Sequence, residues 1–330
     1  MSSFSVSGRT PSPREVRDTR MAAALAIARE HGGVAHRRQL HMAGIDRHTV
    51  RSFVRAGRWR SLGRHTVEIL AAERSPAARA WWAVWESGSG ACLDGVSSMI
   101  AHGVTGFHPE CITVSVPRAS TAYRLDGVRL RRPRLVVPAL RPGIPRTALE
   151  DATIKAAQWA ASDRQAALLL CLPLQQRLLS PDRLWQSWTE VSRSSRRSVI
   201  GVVLHDMCHG AQSLGELDFA RWCRRYRLPE PARQTLRHGP RGRIYLDVDW
   251  PAHRLVVEID GVHHGQGINP VWDALRANEV TLGDNRVLRL PVLGLRLMPQ
   301  EFMAQVARAL GATPVRMTVM PNAARGARSA

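Results

Sequence analysis

The chain has 330 residues with 44% hydrophobic side chains, enough for two or three domains, each with its own core. No apolar run approaches the roughly 18 residues a membrane helix needs, and MSSFSVSGRTPSPREVRDTR at the start has no signal-peptide apolar core, so a cytoplasmic location without membrane contact is expected. Five scattered cysteines, none in a C-x-x-C pair, argue against a disulfide framework or a zinc site, whereas the net charge of +20 favours a nucleic-acid partner.

Residues 1–20 are rich in Ser, Pro and Arg and read as a disordered basic tail. A first domain is expected over 21–72. The stretch 21–30 (MAAALAIARE) is a strong helix former closed by Gly32-Gly33, and a second short helix over 36–42 ends at Ala43-Gly44. Asp46 is a good N-cap for a third helix that Gly57 stops. On that helix Val50, Phe53 and Val54 form an apolar side, while Arg47, Arg51 and Arg55 recur every four residues on another. A basic hairpin follows, with Arg58-Trp59-Arg60, a turn through Gly63, and a strand from Thr66 to Leu70.

Three short helices and a basic hairpin predict a winged helix-turn-helix, with the third helix in the major groove and the wing on the backbone. The DNA-binding candidates are Arg47, His48, Arg51, Arg55, Arg58 and Arg60. The order GGV…RRQL…AGIDRHTVRSFVRAGRWR resembles the N-terminal domain of AbiEi-family antitoxins, with Arg64-His65-Thr66-Val67 where that family has a Gly-Val-Tyr-like wing ending. The resemblance implies double-stranded DNA as a partner and admits a cognate toxin and a homodimer. The competing readings are a solvated basic face and a protein–protein module.

Residues 73–205 read as a middle α+β segment. A helix over 77–86 carries Trp81, Trp82 and Trp85 as candidate core anchors, and a second helix is expected over 92–103. Strands are expected over 111–116, 128–130 and 135–137, with Arg129, Arg131, Arg132, Arg134 and Arg141 either a phosphate-binding surface or an exposed strand face. Helices fill 152–191, followed by the basic link Ser192-Arg193-Ser194-Ser195-Arg196-Arg197. No Walker loop, Gly-rich dinucleotide turn or serine-hydrolase elbow occurs in the chain.

The last domain is expected over 210–312, with a disordered tail over 313–330. Ser213-Leu214-Gly215-Glu216 has capping-box spacing ahead of a helix that stops at Leu228-Pro229. The stretch IYLDVDWPAHRLVVEIDGVHH, residues 244–264, then predicts two strands joined at Trp250-Pro251-Ala252-His253. Side chains alternate along a strand, so Asp247 and Asp249 share one face of the first, and Glu258 and Asp260 one face of the second. Leu255-Val256-Val257-Glu258-Ile259 is apolar enough for a buried central strand, where carboxylates are costly unless something such as a divalent cation neutralises them. A helix over 272–282, a strand over 286–290 and a closing helix over 299–310 complete the domain.

The pattern S-x-x-E…L-D-V-D-W-P…L-V-V-E-I-D-G-V-H-H…V-L-R-L-P resembles the DUF559 family, which belongs with the very-short-patch-repair-like (Vsr-like) branch of the PD-(D/E)XK endonuclease superfamily. The resemblance covers about 100 residues. With the N-terminal resemblance it implies an α/β fold (α+β overall): a winged helix, a middle segment and a restriction-endonuclease-like domain. By motif position, Asp247 and Glu258 match the two strand acids and Glu216 the helix-borne acid, while Asp260 stands where the superfamily carries lysine. Lys155 is the only lysine and lies far upstream.

The implied chemistry is phosphodiester hydrolysis with Mg²⁺ or Mn²⁺ held by Asp247 and Glu258. Asp260, His263 and His264 join Glu216 as further catalytic candidates, with Asp249 and Arg276 as supporting residues. The expected function is a metal-dependent DNA endonuclease or nickase in a DNA repair, defence or toxin–antitoxin context. The alternatives are a non-catalytic DNA-binding regulator of antitoxin type with a degenerate nuclease domain, and an interaction module without a nucleic-acid role.

Overall fold

The structure, a computed structural model, describes residues 12–70, 75–134, 136–139, 142–208, 219–238, 244–260, 271, 274–275, 278 and 287–313. It is a mixed α/β protein in two compact units, one within Met1–His102 and Phe107–Ala148, the other within Gly103–Gly106 and Leu149–Ala330. The division differs from that expected from sequence, because the helices after residue 148 belong with the C-terminal sheet and not with the segment before them.

The first unit opens with α1 (Pro13–Glu30), β1 (Val34–His36), α2 (Arg37–Met42), α3 (Arg47–Arg55), β2 (Arg60–Ser61) and β3 (Thr66–Glu68). Helix α1 starts eight residues before the expected one, inside the stretch read as a disordered tail. Its physical cause is a capping box: the Ser12 hydroxyl accepts from the Glu15 N–H, and the Glu15 carboxylate accepts from the Ser12 N–H. Strand β1 was not anticipated; it pairs with β3, which also pairs with β2, giving an antiparallel sheet of order β1-β3-β2. Ala24, Ala28, Leu40, Ile45, Val50, Trp59 and Val67 form the core beneath. Gly57, just past α3, has φ 67°, a left-handed conformation that costs glycine nothing and lets the chain reverse toward β2.

The same unit continues with α4 (Pro76–Glu86), β4 (Cys92–Leu93), α5 (Gly95–Ala101), β5 (Ile112–Ser115) and β6 (Val128–Arg131). The sheet order is β4-β5-β6, antiparallel then parallel. The helix expected from residue 92 begins only at Gly95. Buried Asp94 intervenes, its carboxylate accepting from the Gly95 N–H (2.8 Å) and the Ser115 and Thr147 hydroxyls (2.5 and 2.9 Å). Val136 and Val137 lie outside any strand; Pro138 forms only an isolated bridge to Thr147.

The second unit begins with α6 (Leu149–Trp159), α7 (Asp163–Gln175), α8 (Pro181–Thr189) and α9 (Arg197–Cys208), packed through Leu169, Leu170, Leu184, Ile200 and Leu204. It continues with α10 (Phe219–Arg225), β7 (Arg233–His238), β8 (Ile244–Trp250), β9 (Leu255–Asp260), β10 (Val287–Pro291), α11 (Val292–Leu297) and α12 (Pro299–Ala309). The buried Asp206 carboxylate of α9 accepts from Arg296 Nε of α11 at 3.2 Å, an ion pair linking the helices to the sheet-bearing part of this unit. The sheet order is β10-β9-β8-β7; β8 is antiparallel to both its neighbours, β7 and β9, and β10 joins β9 in parallel.

Between β8 and β9 the expected Pro-containing bend is a 3-10 turn, Pro251–His253, followed by Arg254 at φ 49°. Strand β9 has neighbours on both sides, as expected, yet only one face is buried. Leu255, Val257 and Ile259 are fully covered, whereas Val256, Glu258 and Asp260 are half-buried. Val248, Trp250, Leu288 and Leu290 complete the buried side. The period-two alternation makes the sheet amphipathic and brings the acids of β8 and β9 to its other face.

Candidate functional site

Register converts the acidic pattern into a site. Asp247 of β8 lies directly opposite Glu258 of β9, and Glu258 directly opposite Arg289 of β10. Opposed residues share a sheet face with Cβ atoms about 4.5–5.5 Å apart, so Asp247, Glu258 and Arg289 form one row across three adjacent strands. Asp249 lies opposite Val256, one row along, and Asp260 lies opposite Tyr245. Glu216, His263, His264 and Arg276 lie outside the described residues.

Like charges directly opposed on a sheet destabilise it, so the Asp247–Glu258 pair needs positive charge nearby. Arg289 supplies some: its Nε donates to Glu258 Oε2 at 3.2 Å. The Glu258 side chain keeps 32% of its exposure and that of Arg289 67%, so the pair lies at a solvent-facing surface. Arg289 was not among the sequence candidates. The alternation in Val287-Leu288-Arg289-Leu290, with Leu288 and Leu290 buried and Val287 and Arg289 exposed, carries the signal.

The backbone of Arg289 is also fastened. Asn278 donates through Nδ2 to the Arg289 carbonyl and accepts from the Arg289 N–H, both at 2.9 Å. The same Nδ2 donates to Gln305 Oε1 of α12 at 3.0 Å, and Gln305 Nε2 donates to the Leu275 carbonyl at 3.0 Å. Both amides are buried. Strand β10 is an outer strand of this sheet, and these amides satisfy edge groups that a strand partner otherwise would.

Two opposed carboxylates at a solvent-facing position suit Mg²⁺ or Mn²⁺, hard cations that take oxygen ligands and usually keep several waters. Arg289 engages Oε2 of Glu258, which leaves Oε1 as the oxygen a cation would take. No group of three or more His, Cys, Asp and Glu residues able to hold a metal ion occurs among the described residues, so Asp247 and Glu258 offer two carboxylates and no third such ligand there.

The second set of candidates lies on the first unit. The Asp46 carboxylate accepts from the Thr49 N–H at 2.7 Å and starts α3, a bond that holds its carboxyl below the usual carboxylate range. Val50 is buried with Phe53 and Val54 packed beside it, as expected, and Arg47, His48, Arg51 and Arg55 are exposed. Arg58 and Arg60 are exposed too, but already engaged. Arg58 lies over the Phe53 ring at 5.6 Å, and Arg60 Nε donates to Glu68 Oε2 at 2.7 Å.

Helix α4 holds the β2–β3 hairpin tip. The Glu86 carboxylate accepts from the Arg64 and His65 N–H groups, each at 2.8 Å, and from the Thr66 hydroxyl at 2.7 Å. A side chain at Gly63 would meet that carboxylate, and Glu86 would have to shift from the bonds it makes here. Trp82 Nε1 donates to the Leu62 carbonyl at 3.1 Å, and Trp81 and Trp85 pack against His31. The three tryptophans expected as core anchors are half-buried and grip the preceding helices and hairpin. Of the arginines considered near β6, Arg129 and Arg134 are exposed, Arg132 donates to the Arg118 and Ser120 carbonyls, and Arg141 lies outside the described residues.

No known protein family's sequence model matches the chain, and no curated protein matches it. Among solved structures, the RV2827C protein from Mycobacterium tuberculosis aligns with 17% identity over 61% of this chain and 78% of its own, at a TM-score of 0.35. At that score the likeness carries no argument about fold or function. No helix among the described residues is long and apolar enough to cross a membrane.

Proposed function

We propose that this chain is a metal-dependent DNA endonuclease or nickase whose N-terminal module, a winged helix-turn-helix, tethers it to duplex DNA. On this reading the C-terminal sheet with its flanking helices is a restriction-endonuclease-like domain related to the DUF559 family. The observation that carries the proposal is the register placing Asp247 opposite Glu258 on the face of the sheet opposite its buried side. Support for the tether is the exposed Arg47–Arg51–Arg55 stripe on α3, beside a hairpin whose tip Glu86 fixes.

Asp247 and Glu258 are the residues that would hold Mg²⁺ or Mn²⁺, which when bound supplies polarisation of a phosphoryl oxygen and activation of water. The chain's own contribution is to oppose the two carboxylates, to keep them at solvent, and to balance their charge through Arg289. Purified full-length protein is expected to nick or linearise supercoiled plasmid with Mg²⁺ or Mn²⁺ but not with chelator, and Glu258→Ala is expected to abolish the reaction. Intact plasmid with either cation, across varied substrates, would remove the proposal's support.

A second reading is favoured by the Glu258–Arg289 ion pair, which already neutralises one acid without metal. The protein is then a DNA-binding regulator of antitoxin type with the nuclease domain kept as a scaffold. It predicts sequence-specific binding near its own promoter that Arg47→Ala/Arg51→Ala abolishes and Glu258→Ala leaves unchanged.

A further inference from the structure

We infer that Arg289 is the cation of this active site, binding the scissile phosphate in the role that residue 260, an aspartate, cannot fill. The inference rests on the nuclease reading above. The single lysine, Lys155, belongs to α6 and is not in the row formed by β8, β9 and β10. Arg289 stands in the same cross-strand row as both carboxylates, opposite Glu258 on the parallel neighbour.

The contact geometry suits that role. The hydrogen bond to Glu258 runs through Nε, and the side chain retains 67% of its exposure. With Nε engaged and most of the side chain exposed, the terminal amino groups are left for a phosphate, whose oxygens a planar guanidinium grips in pairs. Glu258 orients the guanidinium, while the Asn278 clamp on the Arg289 N–H and carbonyl, braced by Gln305, keeps residue 289 in register. Asn278 and Gln305 are positioning residues.

In hydrolysis the oxygen of water forms a bond to phosphorus and the phosphorus–oxygen ester bond breaks. The products are a phosphate monoester end and a hydroxyl end; the proton lost by the water passes to solvent and the departing oxygen takes one from solvent. Negative charge grows on the non-bridging oxygens as this happens. Two N–H donors of Arg289 aimed at those oxygens act where the charge develops, without forming or breaking a bond themselves.

The row also gives a signature that separates this role from a structural one. Arg289 neutralises Glu258, so a cation at the carboxylates is repelled by the guanidinium and competes for the same acid. Removing the guanidinium should weaken cleavage while metal binds as well or more tightly. The test uses full-length wild type, Glu258→Gln, Arg289→Ala, Arg289→Gln and Arg289→Lys, measuring plasmid nicking rates and Mn²⁺ affinity by electron paramagnetic resonance.

Arg289→Ala is expected to lose about 10²–10³ in rate, the usual loss for one donor to developing charge, with unchanged or tighter Mn²⁺ binding and partial recovery in Arg289→Lys. Arg289→Gln, polar and uncharged with the same first three side-chain carbons, carries the comparison if the alanine variant does not fold. Wild-type cleavage that Arg289→Gln leaves unaltered overturns the inference and keeps the nuclease reading. Loss of rate together with loss of Mn²⁺ binding assigns Arg289 a structural part and also overturns it. Wild type that neither cleaves nor binds Mn²⁺ overturns both.

Discussion

The strongest quantitative expectation concerns α3. Arg47, Arg51 and Arg55 recur at the spacing that stacks side chains along one helix face, and all three are exposed. Arg60 is the natural comparison, because its Nε is held by Glu68 at 2.7 Å, an ion pair that also raises the Arg60 pKa. Each phosphate contact removed should reduce the slope of log affinity against log salt by about 0.9. The triple substitution Arg47→Ala/Arg51→Ala/Arg55→Ala should therefore flatten the slope by about 2.7, and Arg60→Ala by less than one unit. Over a fourfold rise in salt, wild type should lose about 40-fold more affinity than the triple variant. Fluorescence anisotropy with a labelled duplex at several salt concentrations measures both slopes. Equal slopes for wild type and the triple variant, or a larger change for Arg60→Ala, would refute the assignment of α3 to DNA.

Two further expectations follow from local geometry. His36 caps α2 by accepting the Arg38 N–H on Nδ1 at 3.0 Å; its ring stacks on His65 and meets Trp85 edge-on. Burial first, then the charges of His65 and Arg38, hold its pKa below the ordinary 6.5 against the opposing pull of Glu86. A depressed folded pKa means the unfolded chain binds the proton more readily, so this contribution is complete above about 6.5 and is lost as pH falls through the folded value. Thermal unfolding of wild type should show lower stability below pH 6.5, and His36→Asn, which keeps an acceptor, should weaken that dependence; an identical pH profile in the variant would sink the argument. Under the sheet, Leu255 is fully buried, so Leu255→Ala should cost about 2–5 kcal/mol in urea unfolding. A cost below about 1 kcal/mol would mean that this face is not the packed core described.

The β8–β9 hairpin was legible because alternation acts over neighbouring residues: aspartates two apart must share a face, and a Pro-containing bend must lie between two apolar runs. The same locality made α3 and its exposed arginines readable, since the Asp46 cap and the four-residue spacing depend on nothing distant. Arg289 was hidden for the opposite reason. Its place opposite Glu258 depends on a parallel pairing between strands 31 residues apart in sequence, and such register cannot be read from either strand alone. Glu86 was hidden likewise, its partners lying 20 to 22 residues upstream. The start of α1 was readable in principle, because Ser12 and Glu15 have capping-box spacing, but the Ser/Pro/Arg composition around them pointed to disorder. Strand β1 is three residues long and exists only because β3 offers a partner.

The central claim, a cation held between Asp247 and Glu258, is tested most directly by a crystal structure of the full chain grown with Mn²⁺ and examined by anomalous scattering. The account predicts one anomalous peak at the Asp247–Glu258 row, with a carboxylate oxygen from each residue at about 2.1 Å and waters completing the shell. Crystals in saturating Mn²⁺ with no peak there, and Glu258 still closed onto Arg289, would contradict it.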